Sequence, residues 1–265
     1  MVNTDFITNA IEIGRMAEPE GAALVAYAIA AQAKPRSAVD YETALDAYAS
    51  FFRAVSGYES HHQRRLVEAF LFAVACHRGQ FYQWCRKTKL PYPYHLAATA
   101  KHVISFPQAT PVTIIIALWH DILEDKKATT GKIYDKLEEK EQNHVLSALQ
   151  LLDRGSYTGK QKTLLYYQNL CTHADALLVK IADLLANLDA CLARFDEMKQ
   201  DKTRFWIYSY VFQIERCLFP YLEQSPFLFS FLAKKRLSLR ISALQGRFRE
   251  RENDEYNQFA EAGIP

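Results

Sequence analysis

The chain has 265 residues, of which 49% are hydrophobic and 23% charged, and a net charge of +2. That length supports one domain with extensions or two small ones, and that apolar content excludes a disordered chain. The near balance of charge leaves no broad basic surface for nucleic acid, although a local basic patch for a small phosphorylated ligand remains open.

Nearly every long segment reads as helix. EGAALVAYAIAAQAK (20–34) is alanine-rich and stops before Pro35. VDYETALDAYASFFRAV (39–55) and HHQRRLVEAFLFAVACHRG (61–79) follow, closed near Gly57 and Gly79. LPYPY (90–94) reads as a rigid loop, and HLAATAKHVISF (95–106) as a short helix. In QATPVTIIIALWHDILED, Thr110 is placed to cap and Pro111 falls at the first helical position, which favours a buried helix running on through ILED. GKIYDKLEEKE (131–141) reads as a charged surface helix and HVLSALQLL (144–152) as another. THADALLVKIADLLANLDACLARFDEM (172–198) is one long amphipathic helix or two closely joined ones. The tail carries the aromatic run FWIYSYVFQIERCLFPYL, which is too apolar to stand exposed and suits the core or a partner chain. The expected architecture is all-α, with an N-terminal extension (1–60), a core (61–198) and a C-terminal extension (199–265).

The five cysteines, Cys76, Cys85, Cys171, Cys191 and Cys217, form no CxxC pair. Their odd number, with an opening MVNTDFITNAIEIG unlike an export signal, leads to the expectation of free thiols in a cytoplasmic protein. The longest apolar run, around 114–119, is too short to span a bilayer, so no membrane partner is expected.

Chemistry concentrates in WHDILED (119–125). On a helix His120 and Glu124 share one face, and Asp121 and Asp125 the adjacent one. Imidazole and carboxylates at the end of so greasy a run are costly to bury unpaired, and a divalent metal relieves that cost. The plain alternative is a helix end with acidic groups near solvent. A second cluster lies in KIADLLAN (180–187), where Asp183 and Asn187 share a face and Lys180 precedes them by a turn. Taken alone, Asp183 there suits a cap or a simple pair with Lys180. His95, at the start of its helix, is a third candidate, with His102 as its rival; His77 suits a core or hydrogen-bonding role.

In order, ACHRGQ (75–80), PYPYH (91–95), HDILED (120–125) and VKIADLLANL (179–188) resemble the HD-domain hydrolase module of the RelA/SpoT-like proteins and the small alarmone hydrolases. The likeness covers residues 68–195. It implies an all-helical fold and a divalent cation, usually manganese, held by His95, His120, Asp121 and Asp183. It places Glu124 and Asp125 at the attacking water and Asn187 at the substrate. Lys180 matches the lysine before the motif's Asp, with either a structural role or one in setting charge near the phosphates.

Arg78, Arg86, Lys101 and Lys126 are candidate phosphate contacts, each also readable as a solvated cation. The implied reaction removes the 3′-diphosphate of guanosine tetra- or pentaphosphate. Departures bear on that substrate. Phe81 and Tyr82 stand where the family has basic residues, Leu96 replaces a proline, Lys126 replaces a threonine, and ADLLAN lacks the Arg and His of ADRLHN. Alternatives are an HD-type phosphohydrolase of another nucleotide (a monophosphate or a 2′-phosphorylated cofactor) and a non-catalytic helical binding module. The terminal helices suit a buried core, a homo-oligomer or a lid.

Overall fold

The computed structural model describes residues 38–82, 90–155, 160–198 and 210–261. The helix expected over 20–34, Cys85, Arg86 and residues 205–209 of the aromatic run lie outside them. The described chain is almost wholly helical, with extra helices beyond the core, as the patterning leads one to expect.

Helix α1 (Ala38–Val55) turns back at Gly57 into α2 (Ser60–Cys76). Their seam is aromatic: Tyr48, Phe51 and Phe52 meet Phe70 with ring centroids 5.3 to 5.6 Å apart. After α2 the chain reverses at Gly79, whose φ of +77° is a left-handed conformation that a side chain disfavours. No atom lies within 4 Å of where a Cβ would sit, so backbone conformation and not space requires glycine there.

Of the segment expected as a loop (90–94), Leu90–Pro91 form the second strand of a small antiparallel hairpin and Pro93–Tyr94 open the next helix. Strands β1 (Phe81–Tyr82) and β2 (Leu90–Pro91) pair Phe81 with Pro91 and Tyr82 with Leu90. The Tyr92 amide donates to the Gln80 carbonyl at 3.0 Å and extends the ladder. Two-residue strands carry no periodicity, which is why sequence pattern misses them.

Helix α3 (Pro93–Ile104) follows directly. Helix α4 (Pro111–Trp119) opens on a reciprocal cap: Thr110 Oγ1 accepts from the Thr113 amide at 3.1 Å, and Thr113 Oγ1 from the Thr110 amide at 3.3 Å. It does not run on regularly through ILED. His120 Nδ1 donates to the Ala117 carbonyl at 2.8 Å, taking the acceptor that a continuing helix offers the Asp121 amide. One further turn forms, with the Asp125 amide on the Asp121 carbonyl at 2.9 Å. A Schellman pair then ends it: Lys127 N donates to Ile122 O at 2.8 Å and Lys126 N to Leu123 O at 3.0 Å, with Lys126 left-handed at φ 54°.

The charged helix expected over 131–141 is divided. Helix α5 covers Thr130–Tyr134, and α6 (Glu139–Leu152) starts afresh. The cause is tertiary, because Arg65 of α2 binds both Glu138, at 3.1 Å, and Glu141 at the new helix start. Helix α7 (Lys160–Leu170) leads into α8 (Ala174–Ala193), which ends in a single 3₁₀ turn at Phe195–Glu197. A wide-turned segment, Ile214–Leu218, precedes α9 (Phe219–Gln224) and α10 (Ser230–Glu261). Val211, Ile214, Cys217, Leu218 and Leu222 of the tail are buried, while Phe212 is exposed.

Helices α3, α4 and α8 pack on one another at the centre. Helix α1 covers α3, α2 covers α4, and α6 and α10 flank α8. Arginines of α10 close the end of α8. Arg240 grips Asp189 through Nε at 2.6 Å, Arg247 donates to the Leu192 carbonyl at 3.2 Å, and Arg251 to the Phe195 carbonyl at 2.7 Å. The last two bonds satisfy carbonyls that a helix end otherwise leaves to water. No helix among the described residues is long and apolar enough to cross a membrane.

Candidate metal centre

Each central helix delivers one group to the same point. His95 lies in the first turn of α3, His120 at the end of α4 and Asp183 in the middle of α8; all three side chains are buried. His95 Nε2 is 3.2 Å from His120 Nε2 and 3.0 Å from Asp183 Oδ1. The ligand atoms of these three residues all fall within 4.8 Å of one another. Asp121 stands at the edge of the group, with Oδ2 at 2.9 Å from His120 Nε2 and 3.8 Å from His95 Nε2.

The donor set fits a divalent cation. The bond from His120 Nδ1 to a carbonyl keeps a proton on that nitrogen and turns Nε2 toward the cluster, the atom left to bind a cation. His95 Nε2 faces the same point; in the metal-free chain a proton supplies the positive charge that two ring nitrogens beside carboxylates require, and a bound cation would take its place. Ligands at about 2.1 Å from a metal in tetrahedral or octahedral array lie roughly 3.0–3.4 Å apart; His95 Nε2 stands at 3.2 and 3.0 Å from its two partners, while His120 Nε2 and Asp183 Oδ1 are 3.8 Å apart. Nitrogen and oxygen donors of this kind suit manganese, zinc, iron or cobalt and do not choose among them.

Charge is correspondingly tight. Burial lowers the proton affinity of His120, but Asp121 and then Asp183 outweigh it and push its pKa to about 9. Burial raises both carboxyls; His120 nevertheless holds Asp121, and Lys180 with His95 holds Asp183, below the ordinary carboxylate range. Lys180 Nζ donates to Asp183 Oδ2 at 2.8 Å, and Asp183 keeps it charged despite burial.

The other residues singled out from sequence divide. Asn187 Nδ2 donates to Asp183 Oδ1 and to Tyr210 Oη, both at 2.8 Å, and its Oδ1 accepts from Tyr82 Oη at 2.6 Å. Lys180 and Asn187 therefore both fasten Asp183. Glu124 lies at the solvent edge, where its Oε2 accepts from the Arg154 amide at 3.3 Å. Partial burial raises its pKa, Lys180 pulls it back and Asp121 raises it again, with a net rise above the ordinary value. Asp125 points a different way and accepts from Gln80 Nε2 at 2.6 Å.

Arg78, Lys101 and Lys126 are exposed. His102 is not in the cluster; it pairs with Asp189 at 3.0 Å. Sequence reasoning gave no role to Gln80, Tyr82, Tyr92 or Arg154. Gln80 and Tyr92 lie inside the quoted motifs, but nothing in the pattern says which carboxylate each one meets.

No protein-family model matches the chain, and a search of curated proteins finds no similar sequence. The geometry therefore carries the functional argument. A buried group of two histidines and an aspartate, on an all-helical frame, is consistent with a metal-dependent catalytic site.

Proposed function

We propose that the chain is a metal-dependent phosphohydrolase of phosphorylated nucleotides, acting as a 3′-pyrophosphohydrolase on guanosine tetra- or pentaphosphate. The observation that carries the metal part is the approach of His95 Nε2 and His120 Nε2 to 3.2 Å beside Asp183 Oδ1. The resemblance of four ordered segments to HD-domain alarmone hydrolases supports the substrate.

His95, His120 and Asp183, with Asp121 at the edge, would hold the cation. Bound there, the cation would polarise a phosphoryl oxygen and lower the pKa of water. Glu124 is the group best suited to take the proton of the attacking water, because it is solvent-reachable and holds protons more readily than an ordinary carboxylate. The water oxygen joins the phosphorus next to the ribose 3′ oxygen, the bond from that phosphorus to the 3′ oxygen breaks, and the 3′ oxygen takes up a proton as pyrophosphate departs. Arg154 meets Glu124 through its backbone amide, while its guanidinium lies toward Thr163 and the Tyr166 ring. Asn187 and Lys180 act through Asp183 in this scheme.

One observation favours a different nucleotide as substrate. Leu184 and Ala186, which replace the Arg and His of the family motif, are buried and apolar, so those two contacts to the alarmone are missing. A screen of nucleotides in added manganese, with phosphate and pyrophosphate release measured separately, tests both readings. Pyrophosphate from guanosine tetraphosphate supports the first, and phosphate from a monoester supports the second. No release from any nucleotide by manganese-loaded protein refutes hydrolysis.

A further inference from the structure

Three acidic residues of the site are each tied to the same small hairpin. Tyr92, immediately after β2, donates its hydroxyl to Asp121 Oδ2. Gln80, immediately before β1, donates Nε2 to Asp125 Oδ2 at 2.6 Å. Tyr82, in β1, donates to Asn187 Oδ1 at 2.6 Å, and Asn187 passes an N–H to Asp183 Oδ1 at 2.8 Å. The oxygens chosen matter. Asp121 Oδ2 is the atom 2.9 Å from His120 Nε2, and Asp183 Oδ1 the atom 3.0 Å from His95 Nε2. A carboxylate oxygen offers two lone-pair directions. A donor on one of them leaves the other aimed at the cluster.

The hairpin's own side chains are locked in turn. Tyr82 stacks on His95, with ring centroids 4.7 Å apart and planes within 7°. Tyr92 stacks on the buried His77 at 4.7 Å and 19°. His77 Nδ1 lies 3.0 Å from Gln80 Oε1. Since Gln80 must donate through Nε2 to the Asp125 carboxylate, its Oε1 accepts from His77, which sets the His77 proton on Nδ1. The backbone bond between Tyr92 and Gln80 joins the two ends of this arrangement.

We infer that the β1–β2 hairpin is the outer shell of the metal centre, in which Tyr92, Tyr82 and Gln80 are positioning residues for Asp121, Asp183 and Asp125, so that cation binding and hairpin order are linked. The inference rests on the metal-binding reading of the cluster. Linkage is reciprocal: whatever factor the hairpin's hydrogen bonds add to cation affinity, the cation returns to the order of the paired strands.

Manganese alone suffices as the probe. Free Mn²⁺ is titrated by electron paramagnetic resonance against the full chain, Tyr92→Phe, Tyr82→Phe and, as a remote control, Tyr134→Phe, whose hydroxyl bonds Asn143 at 2.8 Å. Tyr92→Phe keeps the stack on His77 and loses only the hydroxyl. It should weaken Mn²⁺ binding by roughly 10–100-fold, the usual worth of a partner behind a ligand. Tyr82→Phe should weaken binding by a smaller factor, since it acts through Asn187, and Tyr134→Phe should match the parent.

Saturating Mn²⁺ should also slow hydrogen exchange at the Tyr82 and Tyr92 amides of the parent, and less so in Tyr92→Phe. The absorption of bound Co²⁺ should shift in Tyr92→Phe, by less in Tyr82→Phe, and not in Tyr134→Phe. Both hairpin variants binding Mn²⁺ within twofold of the parent would overturn the positioning role. Hairpin exchange indifferent to Mn²⁺ would overturn the linkage, a test the parent decides even where a variant fails to fold. A parent that binds no Mn²⁺ removes the metal reading itself.

Discussion

Replacing Asp183 with Asn separates what this residue does for the fold from what it does for the cation. Its side chain is 6% exposed, and that of its partner Lys180 is 16% exposed. Removing the carboxylate charge strands an ammonium among Tyr166, Tyr167 and Tyr210. Breaking a buried pair by deleting one partner costs about 3–5 kcal/mol. The lower figure applies, because the amide oxygen of Asn still accepts one bond from Lys180. At roughly 2–4 °C per kcal/mol for a chain of this size, Tm should fall by about 6–12 °C. Cation affinity should fall as well, because a charged donor is lost. Adding Lys180→Met removes the stranded charge, so the double variant should regain most of the lost Tm and none of the lost affinity. Thermal unfolding of the apo-protein, beside metal analysis after dialysis against Mn²⁺, reads both quantities. An Asp183→Asn variant with the parent's Tm, or a double variant that recovers full metal content, would refute the assignment.

Glu124→Gln should leave stability within about 0.5 kcal/mol of the parent's, because the residue is exposed, and should retain the cation. On whichever nucleotide the screen identifies, its turnover should drop by roughly 10²–10⁴-fold. Metal loss equal to that of Asp183→Asn would instead make Glu124 a ligand. Asp189 supplies a pH test remote from the cluster. Partial burial raises its pKa, but hydrogen bonds from His102 and Arg240 outweigh that and hold it below the ordinary value. The unfolded chain therefore takes up this proton first, so the stabilisation is full above the unfolded pKa, about 3.9, and fades as pH falls through it towards the folded value. Asp189→Asn should cost about 0.5–1 kcal/mol at pH 7, discounted because the side chain is 41% exposed. In urea titrations the gap from the parent should narrow as pH is lowered from 5 to 3, and a gap that widens there sinks the argument.

The sequence by itself determined the helical class, most helix positions and the chemistry at hand. Thr110 and Pro111 announced the start of α4, and the cap is present. Apolar spacing placed the helix around Asp183, and the greasy run before His120 marked it as buried. These features are local, set by neighbours within about one turn, and a single chain displays them directly.

Only the tertiary structure decided what the acidic residues touch. Asp121 and Asp125 keep their spacing of one turn, yet one meets Tyr92 and the other Gln80. Glu124 turns instead to the Arg154 amide, 30 positions away. The end of α4 at Trp119 depends on His120 turning back onto Ala117, a rotamer that the neighbouring Asp121 and His95 favour and that no periodicity encodes. The hairpin that fastens the site has strands too short to show a pattern, and its bond from Tyr82 to Asn187 joins residues 105 positions apart. Helix propensity is written residue by residue, whereas the direction of a carboxylate is fixed by whichever donor the folded chain brings beside it.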